Sequence, residues 1–184
     1  FDNKQLAAKL ATSVIPVVAV GGSYADAAAY SSFPYIATDN AKLIMLAFKH
    51  LQDSGIEQFA FYGMPKEQAP GWATEREKAF LKLMMAQQYP YSICREGAID
   101  AANRQKLLSM LGDWLVALPK PVGIIAVTDA QARYLIQACQ KHGLLVPDDI
   151  AIIGIDNDEL AKSLSAISLS SVKQGCFNMG FQAA

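Results

Sequence analysis

Two hydrophobic periods run through this chain. Unbroken apolar runs at 122–127 and 150–155 read as strands buried on both faces, since each side of such a strand must meet a core. Between them, and upstream, apolar residues recur at helical spacing. Leu43, Ala47 and Leu51 line one face of a helix predicted from a cap at Asp39 to about residue 54. Leu107, Leu111 and Trp114 do the same over 103–117, so Trp114 reads as core. A helix over 129–142 ends where Gly143 supplies the left-handed cap. Leu6 and Leu10 mark a helix over 3–12, and 16–20 reads as a short strand stopped by Gly21 and Gly22. Residues 23–35 and 64–71 read as loops. Thr74 and Glu77 have capping-box spacing for a helix to about residue 88. Strands are further predicted at 58–62, 92–95 and 168–172, a short helix at 159–164, and a helix start at 176–184. Strands that alternate with helices imply an α/β fold with a parallel, doubly wound sheet and right-handed crossovers.

Composition narrows the class. A hydrophobic share of 52% with 18% charged residues fits a packed protein rather than a disordered one. The formal charge of −1 carries no basic stripe, so these residues are not expected to hold nucleic acid by themselves. No apolar run approaches the ~20 residues of a membrane span. The start shows no signal-peptide pattern, although the sequence opens on Phe1 without a methionine. Cys94, Cys139 and Cys176 are unclustered, which fits a reducing, cytoplasmic setting. His50 and His142 suit helix surfaces or C-terminal turns, and no Cys/His spacing suggests a metal.

Candidate chemistry sits where strands end. Asp129 and Asp156 each follow an apolar strand, and in α/β folds the carboxyl ends of strands open onto the ligand crevice. A carboxylate there accepts hydrogen bonds from hydroxyls; the alternative is that both simply cap helices. Asn157 shares that position. Arg76 is expected in a first helical turn, where a cation opposes the helix dipole, so stability alone does not favour it. It is either a surface charge or a fork for hydroxyls or a carboxylate. Trp72 is either a loop anchor or a face for the C–H side of a sugar ring. Gly22 and Ser23 follow a strand where a backbone could approach a ligand closely. Enzyme readings fail on context: Tyr62 and Lys66 have a dehydrogenase-like spacing, but Gly63 and Pro65 break the helix it requires. Ser170 and Lys173 have a β-lactamase-like spacing, but Ser170 reads as mid-strand. No phosphate-binding glycine loop or nucleophile elbow is present, and no cofactor is expected.

The order Asp129-Ala130, Gly143, Val146-Pro147-Asp148-Asp149-Ile150, then Gly154-Ile155-Asp156-Asn157 resembles the sugar-sensing core of the lactose/galactose repressor family. That family shares its fold with periplasmic sugar-binding proteins. Asp39-Asn40, Ala47, His50-Leu51 and Gly55 extend the likeness upstream, and 59–63 matches the strand that follows. Arg76 with Ala79-Phe80 matches the family's ligand arginine, Asp129 with Ala132 its ligand aspartate, and Asp156 its second strand-end aspartate. Within the family, 71–77, 123–130, 20–24 and 169–172 look most like the xylose-operon regulators. Gly21-Gly22-Ser23 lacks the acidic residue common there, and Ile99 falls where a ring-stacking aromatic is usual, which argues against a lactose- or purine-type ligand. The resemblance implies a two-lobed fold with its first lobe cut at the N-terminus. It places 1–37 and 147–173 in lobe one, 39–146 and 176–184 in lobe two, and crossings near 37–39, 144–147 and 173–175. It further implies an effector domain sensing D-xylose or a related aldopentose, a homodimer, and operator DNA held by a domain outside these residues. The alternative is a periplasmic sugar-binding protein of an ABC transporter.

Overall fold

The computed structural model describes residues 4–21, 34–95, 103–164 and 167–184. Gly22, Ser23 and Ile99 lie outside them. The elements are α1 (Lys4–Ala11), β1 (Ala19–Val20), β2 (Tyr35–Ile36), α2 (Asn40–Asp53), β3 (Phe59–Tyr62), α3 (Gly71–Gln87) and β4 (Tyr91–Cys94). Then come α4 (Arg104–Ala117), β5 (Val122–Ala126), α5 (Asp129–Lys141), β6 (Ile150–Ile155), α6 (Glu159–Ser163), β7 (Ser170–Val172) and α7 (Cys176–Ala183).

Five strands form one parallel sheet in the order β4-β3-β5-β6-β7, as the alternation of strand and helix predicts. The apolar runs serve both faces because successive side chains point opposite ways. Ile124 and Ala126 face Leu111, Leu115, Leu135 and Cys139 of α4 and α5. Ile125 and Val127 face Ile44, Phe48, Phe80 and Met84 of α2 and α3. Ile124 and Ile125 are fully buried, each worth about 1.5–3 kcal/mol of transfer free energy.

Local signals explain most boundaries. The Asp39 side chain accepts from the Lys42 N–H at 2.9 Å and starts α2. Gly143 takes φ +68 just past α5, the backbone conformation a glycine adopts without cost. The Lys120 ammonium donates to the carbonyls of Leu115, Val116 and Leu118 and closes the end of α4.

Three expectations need correction. First, β6 and β7 pair into the sheet of β3–β5, so 147–173 does not join 1–37, and the chain makes no crossing near 144–147. Residues 1–37 instead contribute the two-stranded β1–β2 sheet, and α7 packs against it. The crossings at 37–39 and 173–175 connect the two sheets. Second, no capping box forms at Thr74. The Pro70 carbonyl accepts from the N–H groups of Ala73 and Thr74, so α3 begins at Gly71 and Thr74 is already inside it. Pro70, with φ −65, is pre-set for that entry. Third, the strand expected over 16–20 pairs only at Ala19–Val20, and its partner β2 begins at Tyr35, the last residue of the span read as a loop. Among the described residues no helix is long and apolar enough to cross a membrane.

Candidate functional site

The early start of α3 decides the site. It places Trp72 and Arg76 four residues apart, on one face of a single helix. The Arg76 guanidinium lies 4.7 Å from the centre of the Trp72 ring, a cation–π contact. Arg76 is 2% exposed, which is uncommon for an arginine unless it is paired. Its Nε donates to Asn40 Oδ1 at 3.1 Å, and its Nη1 donates to the Val127 carbonyl at 2.6 Å. Asn40 is the first residue of α2, and Val127 ends the β5 run. The arginine therefore ties together the carboxyl end of the sheet and the start of two helices.

Opposite it stands Asp156, directly after β6. Its Oδ1 is 3.6 Å from Arg76 Nη1 and accepts a hydrogen bond from Gln174 Nε2. The Asp156 N–H donates to the Val172 carbonyl at 3.0 Å. Asp156 has φ +134 and Asn157 φ +58. Asp156 lies outside the left-handed region that asparagine at 157 readily adopts and is strained, and such strain persists where the surrounding structure holds it. Gln174 Oε1 in turn accepts from Thr38 Oγ1 at 3.1 Å. Thr38 and Gln174 sit on the two segments that connect the sheets, so this hydrogen bond spans both crossings.

Arg76, Asp156 and Trp72 line a cavity of about 250 Å³ together with Thr38, Asn40, Thr128 and Gln174. The volume lies just under the range of about 300–1,000 Å³ for drug-sized ligands, so a smaller polar molecule is the matching size. Burial lowers the Arg76 pKa, opposed by the charges of Asp156 and Asp129. Burial raises the Asp156 carboxyl above its ordinary range, opposed by the Gln174 hydrogen bond and the Arg76 charge, while Asp129 adds to the rise. The cavity thus offers one fixed cation, one carboxylate, an indole and a rim of amides and hydroxyls. That set can donate to and accept from adjacent hydroxyls.

Of the residues singled out from sequence, Trp72, Arg76 and Asp156 come together here. Arg76 is neither a first-turn residue nor a surface charge. Asn157 follows Asp156 in the chain but is not among the residues that line the cavity, and its N–H donates to Ser171 Oγ at 2.9 Å. Asp129 corrects an expectation. Its side chain does not face the crevice: the residue is fully buried, and its oxygens accept from Ser171 Oγ at 2.6 Å and from the Asp158 N–H at 2.8 Å. Nor is it the cap of α5, whose N-cap is Thr128, with its side chain accepting from the Gln131 N–H. Thr128, Asn40, Thr38 and Gln174 were not singled out from sequence. Thr128 carried a signal: a cap-type residue between an apolar strand and a helix faces the same strand end.

Residues 48–184 match the model of the periplasmic binding protein-like domain. The chain belongs to that family. Residues 1–41 match the XylR N-terminal domain. The xylose operon regulatory protein of Escherichia coli (strain K12) is 46% identical over 184 residues, covering 100% of this chain and 47% of that protein. The protein of the same name from Haemophilus influenzae is also 46% identical over 184 residues, with 48% of it covered. The chain spans about half the length of the curated relatives it matches. A solved structure of a xylose-binding transcription activator superposes with a TM-score of 0.88 at 46% identity, covering 100% of this chain and 48% of that one. These relatives are named as regulators, not enzymes.

Proposed function

We propose that this chain is the sugar-sensing part of a transcription regulator, and that its effector is D-xylose or a related aldopentose held in the Arg76–Asp156 cavity. The observation that carries the reading is the buried Arg76, fixed by Asn40 and Val127 with Asp156 within 3.6 Å. A guanidinium sequestered so completely is costly to bury, and its fixed fork suits a polar ligand as well as the fold. Pentose hydroxyls would accept from Arg76 and donate to Asp156. The indole of Trp72 would cover a C–H side of the ring, on whatever surface the guanidinium leaves open.

The signal follows from position. The cavity includes Thr38 and Gln174, one from each crossing, so a ligand there touches the segments about which the two sheets would move. A sugar that binds the closed arrangement better than the open one shifts the population toward closure. Output would then run through operator DNA, held by a domain outside these residues in a homodimer acting in the cytoplasm. The likeness to xylose regulators supports this reading. A thermal-shift panel of aldopentoses and aldohexoses on the full-length protein tests it. A ligand at 100-fold its dissociation constant adds about 2.7 kcal/mol and raises the melting temperature accordingly. D-Xylose is expected to give that shift. A flat panel removes the reading.

A further inference from the structure

Beneath the cavity, a second set of polar groups supports the strained turn that carries Asp156. Asp129 is fully buried at the start of α5, although among the described residues neither a cap nor a direct ion pair accounts for it there. Its Oδ2 accepts from the Asp158 N–H at 2.8 Å. Its Oδ1 accepts from the Ser171 hydroxyl at 2.6 Å. The same hydroxyl oxygen accepts from the Asn157 N–H at 2.9 Å, so Ser171 donates one way and accepts the other. The two backbone N–H groups following Asp156 are thus both tethered, one directly and one through Ser171, to a single buried carboxylate. The backbone at Asp156 has φ +134, which non-glycine residues rarely adopt unaided, and Asn157 follows it in the left-handed region at φ +58.

Gly154 shows that room has been left for this arrangement. A Cβ on Gly154 would sit 2.1 Å from Asp129 Oδ1 and 3.1 Å from Asp129 Cα. Only a residue without a side chain lets the carboxylate reach across β6 toward Ser171 on β7.

We infer that Asp129 and Ser171 are positioning residues: they hold the turn at 156–158 so that the Asp156 carboxylate points into the cavity toward Arg76. This rests on the reading of the cavity as a sugar site. It assigns Asp129 no contact with the sugar and gives Ser171 a role in affinity from outside the cavity.

The test pairs two measurements on the full-length protein. Amide hydrogen exchange of the ligand-free protein reads the turn itself, with no sugar present. Calorimetric titration with D-xylose reads its consequence. Ser171→Ala is expected to speed exchange at Asn157 and Asp158 by tenfold or more, while strands β3 and β5 keep their protection. It is expected to weaken D-xylose about tenfold, or 1.4 kcal/mol. Ser171→Thr, which keeps the hydroxyl, is expected to restore both. In an Asp156→Gly background, where the carboxylate is gone and the positive φ is tolerated, Ser171→Ala is expected to cost no further affinity. A merely structural serine would weaken binding equally in both backgrounds. Unchanged exchange at Asn157 and Asp158 in Ser171→Ala overturns the inference, as does an additive loss of affinity in the Asp156→Gly background. Faster exchange in Ser171→Ala together with no pentose binding by the wild type keeps the tether and removes the sugar reading instead. Asp129→Asn is a second probe of the turn, and Ser171→Ala carries the test if that variant does not fold.

Discussion

Replacing Arg76 by alanine should cost folding stability as well as sugar affinity, contrary to what a crevice-facing side chain would predict. The side chain is 2% exposed and makes two hydrogen bonds, to Asn40 Oδ1 at 3.1 Å and to the Val127 carbonyl at 2.6 Å. It also faces Asp156 at 3.6 Å and lies over the Trp72 ring. Truncation strands the Val127 carbonyl and leaves the Asp156 carboxylate without its cation in a half-buried site. Breaking a buried pair from one side costs about 3–5 kcal/mol. Asp156 retains some contact with solvent, with 32% of its side chain exposed, which puts the expectation at the lower end of that range. Urea unfolding of Arg76→Ala should therefore show a midpoint well below that of the wild type with an unchanged slope. The melting temperature should fall by at least about 6 °C. Arg76→Lys keeps a charge near Asp156 but not the two-pronged geometry. It should lose about 1.5–3 kcal/mol, the worth of one hydrogen bond to a charged group. If Arg76→Ala unfolds at the wild-type midpoint, the buried contacts are not holding the sheet end to the helices, and the site as described is wrong.

Other expectations follow from the same geometry. Trp72→Ala removes both the ring under Arg76 and the apolar wall of the cavity, and should weaken D-xylose about 10-fold in calorimetry, equivalent to 1.4 kcal/mol; wild-type affinity would take the indole out of the site. Asp156 has its pKa raised by burial, and its charged form is the stronger acceptor for sugar hydroxyls. Affinity should therefore be full above that raised pKa and fall as pH drops through it, beginning above the ordinary value of 3.8; a pH series of titrations in which Asp156→Asn shows the same fall would assign the titration to another group. By the linkage sign, the raised pKa makes the folded state bind its proton more tightly than the unfolded chain. This group's contribution to stability is therefore present below its unfolded pKa and lost as pH rises through the folded one. A thiol reagent on the native protein should label Cys176 quickly and leave Cys94 and Cys139 until unfolding, since both are buried and burial pushes the Cys139 thiol up to about 11; rapid labelling of Cys139 would show that the α4–α5 layer opens.

The elements of the main sheet were legible because the physics that specifies them is local. An apolar run such as 122–127 has no polar side to show water, and Asp39 and Gly143 mark helix ends by their own backbone preferences. Which sheet a strand joins is not local. The run at 150–155 is apolar on both faces and would suit either sheet; only its register, with Ile150 opposite Val122, assigns it. The start of α3 was misread because Thr74 and Glu77 form a valid motif that Pro70 pre-empts. Glu77 has another partner, accepting two hydrogen bonds from Arg95, each 2.8 Å long. Asp129 was misread because a strand-end aspartate has the same sequence appearance whether it turns to the crevice or along the neighbouring strand. The distinguishing sign was Gly154, an isolated glycine inside an apolar strand, which marks a close approach. Gln174 gave no comparable sign, since its place is set by a crossing between sheets.

The central claim is that a pentose sits between Arg76 and Asp156. Asp156→Asn tests it most directly: it keeps the size of the side chain and tolerates positive φ while removing the charge. Calorimetric titration of the full-length wild type with D-xylose should give saturable binding, and Asp156→Asn should bind at least about tenfold more weakly while remaining folded at the temperature of the titration. Equal affinity in the two proteins would place the sugar elsewhere.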